Sequence, residues 1–535
     1  MRRKTSIAAV GLMLIGMSSI AYAQNSMSVI ADFYGEHHSS NYGKSMASLD
    51  FNHDGCVDLV ISSPGYGYIY PGTTSPSRGK IYIYNGGAGF NSYTSASLTL
   101  EGTYDGSSGT KIWAIYPVGD VSGDGFEDLC IYVEDVGESE KLLFFYGGTT
   151  DLNNPNYVID ISDIYFYQLF ALGDFNGDGF EDIGMRYEPI GQLNLKLSII
   201  WGGSFIEYIV SEGEGDAGYT ASINGIGDIN NDGYADFATG FTNPDPYTGF
   251  HLIRLYYGND QGNTSNPDVF IQTQYAITKV SKPLGDMNGD GYDDFMGYVS
   301  TNGMHVWLGG QNINYTVPSF NFSPAWYGGA QTTSLEYGDF NGDGYSDVVG
   351  ANYSQSRAAI WLGKQHVNGT SDLTVSQNRE YFGYSVATGD FNTDGYDDIA
   401  IAASHQYDPM PSGTFYGFVW VYGGNAQMAD TTVANDDPTA PGLANLMQVI
   451  ISPNPVSAAT GMINVRIIGS EHSYPQQDKI EVFNIKGQSI FTKQILQTSK
   501  TTTHSIDLPQ LPNGVYLCRV SLGKSACVTR FSIIK

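Results

Sequence analysis

One nine-residue pattern, D-x-[N/S]-x-D-G-x-x-D, recurs seven times along the chain, opening at Asp50, Asp120, Asp174, Asp228, Asp286, Asp339 and Asp390. Successive copies start 51 to 70 residues apart. A repeat of this length is one supersecondary unit that cannot bury its apolar face alone, so the copies must stack on one another. The third copy, GDFNGDGFED, shows what the loop can bind. Asp174, Asn176 and Asp178 occupy positions 1, 3 and 5, Gly179 follows at 6, and Asp182 stands at 9. Alternate residues of a curling loop turn their oxygens toward one centre, glycine supplies the positive φ of the sharp turn, and position 7 can add its backbone carbonyl. Oxygen-only ligation by several carboxylates suits a hard cation, and flexible geometry favours Ca²⁺ over Mg²⁺.

The candidate ligand sets are therefore Asp50, Asn52, Asp54, Cys56 and Asp58; Asp120, Ser122, Asp124, Phe126 and Asp128; Asp174, Asn176, Asp178, Phe180 and Asp182; and Asp228, Asn230, Asp232, Tyr234 and Asp236. The last three copies supply Asp286, Asn288, Asp290, Tyr292 and Asp294; Asp339, Asn341, Asp343, Tyr345 and Asp347; and Asp390, Asn392, Asp394, Tyr396 and Asp398. The Cys, Phe and Tyr members act through their carbonyl oxygens. An EF-hand needs a bidentate Glu at position 12. That position holds Ile61, Ile131, Met185, Thr239, Gly297, Gly350 and Ile401, so the pattern fails in every copy and the Asp at position 9 takes over the missing charge. Up to seven Ca²⁺ ions with a structural role are expected.

The segment after each loop reads as strand, as in DLVIS (58–62) and DIAIAAS (398–404), rich in β-branched residues with no helical period. A further strand ends in an aromatic-Gly signature, as in LLFFYGG (142–148) and VWVYGG (419–424). Six copies then show a fourth short strand: SLTL (97–100), YVIDI (157–161), EYIV (207–210), DVFI (268–271), NYTV (314–317) and DLTV (372–375). Four strands per unit and seven units predict an all-β chain whose first part is a seven-bladed β-propeller. The seventh unit lacks a fourth strand, while SMSVIADF (26–33) is a strand with no unit of its own. It is expected to complete blade seven and so hide the edges an open sheet would expose.

The repeat resembles the FG-GAP family, the calcium-loop blades of integrin alpha subunits and many bacterial surface proteins. Phe382-Gly383 before the seventh loop matches that family's Phe-Gly, with Tyr42-Gly43 and Tyr327-Gly328 as near matches, and Ser62-Ser63-Pro64 stands where its Gly-Ala-Pro falls. The resemblance implies that the calcium loops join first and second strands on one face, so that second-to-third connections emerge on the other. The integrin adhesion-domain metal motif D-x-S-x-S is absent, and integrin-type ligand binding does not carry over.

From about residue 446 the chain changes to longer strands with fewer glycines, which read as a small immunoglobulin-like β-sandwich. Pro453-Asn454-Pro455, Ile485-Lys486-Gly487-Gln488 and the L-P-N-G-V-Y run from Leu511 to Tyr516 resemble the C-terminal sorting domain of the type IX secretion system. That resemblance implies a Gram-negative bacterium of the Bacteroidetes type, the type IX machinery as partner, and a protein secreted or held at the cell surface. The start, MRRKTSIAAVGLMLIGMSSIAYAQ, has a basic n-region, an apolar h-region and Ala21-Tyr22-Ala23 as cleavage site. Expected boundaries are a signal peptide over 1–23, the propeller over 24–424, a linker over 425–445 and the sorting domain over 446–535. No later stretch approaches the ~20 apolar residues needed to span a bilayer, so the mature chain is expected to have no transmembrane helix.

A formal charge of −30 argues against nucleic acid, since phosphate contact needs basic patches. Much of that acidity is loop ligand, and seven bound dications would roughly halve it. Four cysteines do not make a disulfide framework in a chain of this length. Cys56 and Cys130 are expected as buried thiols, and a hairpin centred on Leu522-Gly523 would set Cys518 opposite Cys527. No H-E-x-x-H, G-x-S-x-G or Walker loop occurs, which favours a binding protein over a catalyst. The alternative is a polysaccharide lyase or hydrolase built on the same scaffold. Of the 39 Tyr, those in the long second-to-third connections of units one and seven are the ligand candidates: Tyr66, Tyr68, Tyr70, Tyr407 and Tyr416. Ring closure would make these loops neighbours, presenting a patch for a glycan or an extracellular protein.

Overall fold

The computed structural model describes residues 27–36, 40–66, 78–103, 109–135, 139–192, 195–212, 221–241, 251–262, 264, 266–273, 277–299, 303–311, 315, 317–322, 332–367, 369–377, 379–404, 417–426, 428, 448–452, 456–457, 462–468, 479–484, 488–495, 501–512, 514–522 and 525–534. The proposed signal peptide lies outside these residues, as do most of the linker and Tyr68, Tyr70, Tyr407 and Tyr416. The chain divides into two compact units, Met1–Thr432 and Val433–Lys535. Every regular element among the described residues is a β-strand.

The first unit holds seven four-stranded antiparallel sheets, the construction of propeller blades. Six are sequential: the first sheet runs Met46–Leu49, Asp58–Ser63, Lys80–Tyr84 and Leu98–Glu101, and the third runs Ile164–Gly173, Asp182–Pro189, Lys196–Ile200 and Glu207–Glu212. The seventh is assembled from both ends of the unit. Phe382–Gly389, Asp398–Ala403 and Phe418–Gly423 are joined by Ser28–Tyr34, whose Phe33 pairs with Val419. In the fifth sheet the fourth strand is Phe320–Phe322 and not 314–317. Tyr315 is taken instead as a plug: its carbonyl accepts the Trp307 indole N–H at 3.0 Å and its ring packs on Phe295.

Second strands are buried on both faces, as Asp58–Ser63, Asp347–Asn352 and Asp398–Ala403 show, because each sheet is covered on both sides by its neighbours. Outermost strands such as Leu98–Glu101 alternate instead, with one face turned to water. The core is accordingly split into layers between sheets. Leu49, Val60 and Ile83 of the first sheet meet Ile112, Leu129 and Ile131 of the second. Leu59, Ile61 and Tyr82 of the first also meet Ala31, Phe33, Ala400 and Val421 of the seventh. The first strands of successive sheets touch in order, and Met46–Leu49 touches Phe382–Gly389, so the succession returns to its start.

The second unit packs a three-stranded sheet (Gln448–Ser452, Met462–Ile468, Thr501–Asp507) and a five-stranded sheet around one core. That core includes Val465, Ile480, Val482, Val520 and Phe531. Val456–Ser457 joins the five-stranded sheet in parallel, beside Ser525–Ile534. Leu522 pairs with Ser525, so the last hairpin is centred one residue later than the sequence suggested. In backbone register Cys518 therefore pairs with Thr529, and Cys527 with Val520.

Candidate metal loops

Each D-x-[N/S]-x-D-G-x-x-D segment joins the first strand of a sheet to the second. The third sheet's loop, between Gly173 and Asp182, shows the local logic. Asp174 accepts the backbone N–H groups of Gly177 (2.7 Å), Asp178 (3.1 Å) and Gly179 (2.9 Å), which curls the chain around its carboxylate. Asp178 accepts the N–H of Phe180 at 3.0 Å and the amide of Asn176 at 2.9 Å. Gly179 has a φ of 89°, and a Cβ there would meet nothing within 4 Å, so the glycine is required by torsion and not by space.

The position-6 amide donates to the position-1 carboxylate in all seven loops. The position-7 amide donates to the position-5 carboxylate in all seven.

The Asp at position 9 is fully buried in every copy: Asp58, Asp128, Asp182, Asp236, Asp294, Asp347 and Asp398. Asp182 accepts the N–H of Phe175 at 3.1 Å within its loop and that of Gly202, at the end of the third strand, at 3.0 Å. The corresponding third-strand glycine donates in every sheet. Burial pushes these carboxyls up, and the carboxylates at positions 1 and 5 push further. Asp58 stands at about 6, Asp182 at about 7 and Asp347 at about 8, with the two amide hydrogen bonds opposing the shift. A cation among the three would remove that penalty.

The aromatic-Gly signature has its reason here. The first glycine amide ties the third strand to its own loop, and the next residue's amide crosses to the position-2 carbonyl of the preceding loop. The crossing bonds are Gly148 to Phe51, Gly203 to Val121, Asn259 to Phe175, Gly310 to Ile229, Lys364 to Met287 and Asn425 to Phe340, at 2.6 to 3.0 Å. Gly87 to Phe391, at 2.8 Å, joins the first sheet to the seventh loop. A Cβ on Gly202 would stand 2.4 Å from the Glu181 carbonyl, so only glycine permits this approach.

Sequence reasoning missed a second joint. Position 4 is left-handed in every loop, with His53, Asn231 and Thr393 adopting it beside four glycines. The position-7 ring of the next loop lies against it: Phe180 on Gly123, Tyr234 on Gly177 and Tyr396 on Gly342. The aromatic at position 7, expected only to lend its carbonyl, was the available signal. At the junction of the seventh and first loops it is replaced by the half-buried Cys56. Cys130 is fully buried.

Residues 42–84 and 382–422 match the FG-GAP repeat, and residues 286–349 and 339–401 match the FG-GAP-like repeat. The chain carries FG-GAP repeats. Relatives include integrin alpha-V of Gallus gallus, 25% identical over 223 residues, covering 38% of this chain and 20% of that protein. Integrin alpha-4 of Xenopus laevis is 24% identical over 173 residues, covering 31% and 16%. The shared stretch is thus a fifth or less of these relatives' length. The crystal structure of Saccharomyces cerevisiae Sqt1 aligns with 83% of this chain and 96% of its own at 8% identity and a TM-score of 0.37, too loose to carry an argument. Residues 451–535 match the secretion system C-terminal sorting domain, which implies the type IX machinery as partner and a secreted or cell-surface protein of Bacteroidetes-type bacteria. No helix among the described residues is long and apolar enough to cross a membrane.

The loops at Asp120, Asp174 and Asp228 fall outside the matched stretches yet keep the same position-6 hydrogen bond. The donor set of the seven loops fits a hard dication, and two of its oxygens lack a protein donor. Asn52 Oδ1 and Asn230 Oδ1, at position 3, are buried with no hydrogen-bond partner. Among the described residues no three His, Cys, Asp or Glu side chains form a metal cluster. In the first unit, Tyr66, expected to belong to a displayed aromatic patch, is buried. It is 8% exposed, with Lys80 Nζ, at the start of the third strand, 4.8 Å and Arg78, two residues earlier, 5.9 Å from its ring centroid. Its four proposed companions lie outside the described residues.

Proposed function

We propose that the FG-GAP unit is a seven-bladed propeller whose seven loops hold structural Ca²⁺, and that it is exported to recognise a glycan or protein ligand outside the cell. The observation that carries this reading is the run of crossing bonds from each third strand to the preceding loop, which returns from Gly87 to Phe391. A dication in each loop would stiffen the joints between sheets, leaving the opposite face as a rigid platform for a ligand. The integrin relatives and the sorting domain support display outside the cell. The test is a screen of the calcium-loaded full chain against arrayed glycans and extracellular proteins, with a metal-free arm. Binding that needs calcium supports the reading; no ligand on either array, or binding indifferent to calcium, refutes it.

A further inference from the structure

Lys44 and Tyr384 occupy equivalent places in two sheets that touch. Each follows an aromatic-Gly pair at the start of a first strand, Tyr42-Gly43 in the first sheet and Phe382-Gly383 in the seventh. Both glycines are left-handed, with φ of 80° and 94°. A Cβ on Gly43 would stand 2.7 Å from the Ala402 Cβ of the seventh sheet, so this corner is seated on its neighbour. The Ser385 hydroxyl donates to the Gly43 carbonyl at 2.7 Å and pins the two corners together. The metal loops leave the other end of these strands, so Lys44 and Tyr384 lie at the end away from them.

The two side chains meet. The Lys44 ammonium donates to the Tyr384 hydroxyl oxygen and stands 4.4 Å from that ring's centroid. Tyr384 in turn lies 5.6 Å from Tyr353, in the turn after the sixth sheet's second strand, and Tyr353 stacks on Tyr381 at 6.0 Å. One chain of contacts thus crosses the first, seventh and sixth sheets, and all four side chains are half-buried. Lys80 also stands against a ring, but it pairs with Glu36 at 2.8 Å. Lys44 has no carboxylate within such reach among the described residues, whose ion pairs engage Arg78, Lys80, Lys141, Lys364 and Lys479. Arg379 and Glu380, both exposed just before Tyr381, bring one charge of each sign and leave the surplus at Lys44. A half-buried ammonium without a counter-ion stands out in a chain of 25 basic and 55 acidic side chains.

We propose that Lys44, Tyr353, Tyr381 and Tyr384 bind a carboxylate-bearing sugar, a uronate residue of an acidic oligosaccharide. The proposal rests on the recognition role proposed for the first unit and names its site and ligand class. An ammonium has three N–H donors, and one of them is spent on Tyr384. The Tyr384 hydroxyl is the acceptor in that bond and keeps its own proton to donate. Two donors therefore converge from one point, as the paired oxygens of a carboxylate require, and the positive charge strengthens the bonds. The flat faces of Tyr353 and Tyr381 beside them suit the C–H face of the pyranose that carries the carboxylate. An Asp or Glu side chain of a peptide would satisfy the cation and leave the stacked rings without a flat partner. Corners bonded to one another hold the donors in place beforehand, which lowers the ordering cost of binding.

The test uses the full chain at fixed, saturating free calcium, read by calorimetry. The probes are trigalacturonate, trimannuronate and triglucuronate, their uncharged methyl esters, and hexaglutamate as an acidic peptide. At least one uronate is expected to bind, with its ester weaker by roughly tenfold or more. K44M should weaken that binding roughly tenfold or more and Y384F about threefold or more, while K44R should stay within about threefold of the parent. All three variants should keep the parent's calcium-dependent melting. If a uronate binds and either its ester or the K44M variant matches it, the site is refuted while the recognition role stands. If no uronate binds, or if hexaglutamate and not a uronate depends on Lys44, the sugar assignment is refuted. The recognition role itself falls only when the glycan and protein arrays also yield no calcium-dependent ligand.

Discussion

Phe33 tests whether the N-terminal strand is a working part of the first unit. It sits on Ser28–Tyr34 opposite Val419 of the seventh sheet, yet its ring packs 4.4 Å from Tyr84 and 5.7 Å from Phe90 of the first sheet. One side chain thus holds two sheets that lie at opposite ends of the sequence. It is 5% exposed, so Phe33→Ala loses nearly the whole ring's burial, which costs about 3–5 kcal/mol in cores. The strand lies at a sheet edge and can shift to fill part of the cavity, which places the expectation at about 3 kcal/mol. For a unit of about 400 residues the unfolding entropy turns that into a Tm drop of about 3–4 °C. Tyr34→Ala, one residue on at 67% exposure, should stay within about 0.5 kcal/mol of the parent. Urea unfolding at saturating calcium, followed by tryptophan fluorescence, measures both. Equal midpoints for the two variants would show that the strand carries no share of the stability, and the closed arrangement would be wrong.

Calcium removal should act more broadly. Extracellular sites bind with Kd of about 10⁻⁴–10⁻³ M, so tenfold excess adds about 1.4 kcal/mol per site and about 10 kcal/mol over seven independent ones. A steep loss of melting temperature in EGTA is expected, and an unchanged melt refutes structural calcium. The loop glycines should separate torsion from space: Gly179→Ala should cost about 1–2 kcal/mol by its φ of 89° alone. Gly79→Ala, at a φ of 76°, should cost more, because its Cβ would also stand 2.3 Å from the Ile112 carbonyl oxygen; equal costs by urea unfolding would refute that difference. Asp178→Ala should lower terbium binding by one site while the other loops bind as before, and loss of all sites would show that the loops are not independent.

Local chemistry was the readable part of the candidate site. Position 6 demands a positive φ, and Asp174 closes its turn on amides three to five residues ahead, so the pattern D-x-N-x-D-G declares itself within one short segment. The aromatic-Gly signature was visible without its reason, because the Gly202 contact with Glu181 and the Gly203 bond to Val121 join residues remote in sequence. Segment 314–317 alternates as a strand should, but the indole of Trp307 claimed the Tyr315 carbonyl and moved the ladder to Phe320–Phe322. Tyr66 looked like a displayed ring because Lys80 and Arg78, which cover it, stand more than ten residues further along the sequence.

By itself, then, the sequence determined the repeat, the all-β character and the oxygen-rich loops, since each rests on residues within a few positions of one another. Only the tertiary structure decided which surfaces remain open. The packing of one loop's ring on the next and the contact of Phe33 with Tyr84 depend on neighbouring sheets. Those sheets meet through side chains many tens of residues apart, and no periodicity along the chain records which side of a strand another sheet will cover.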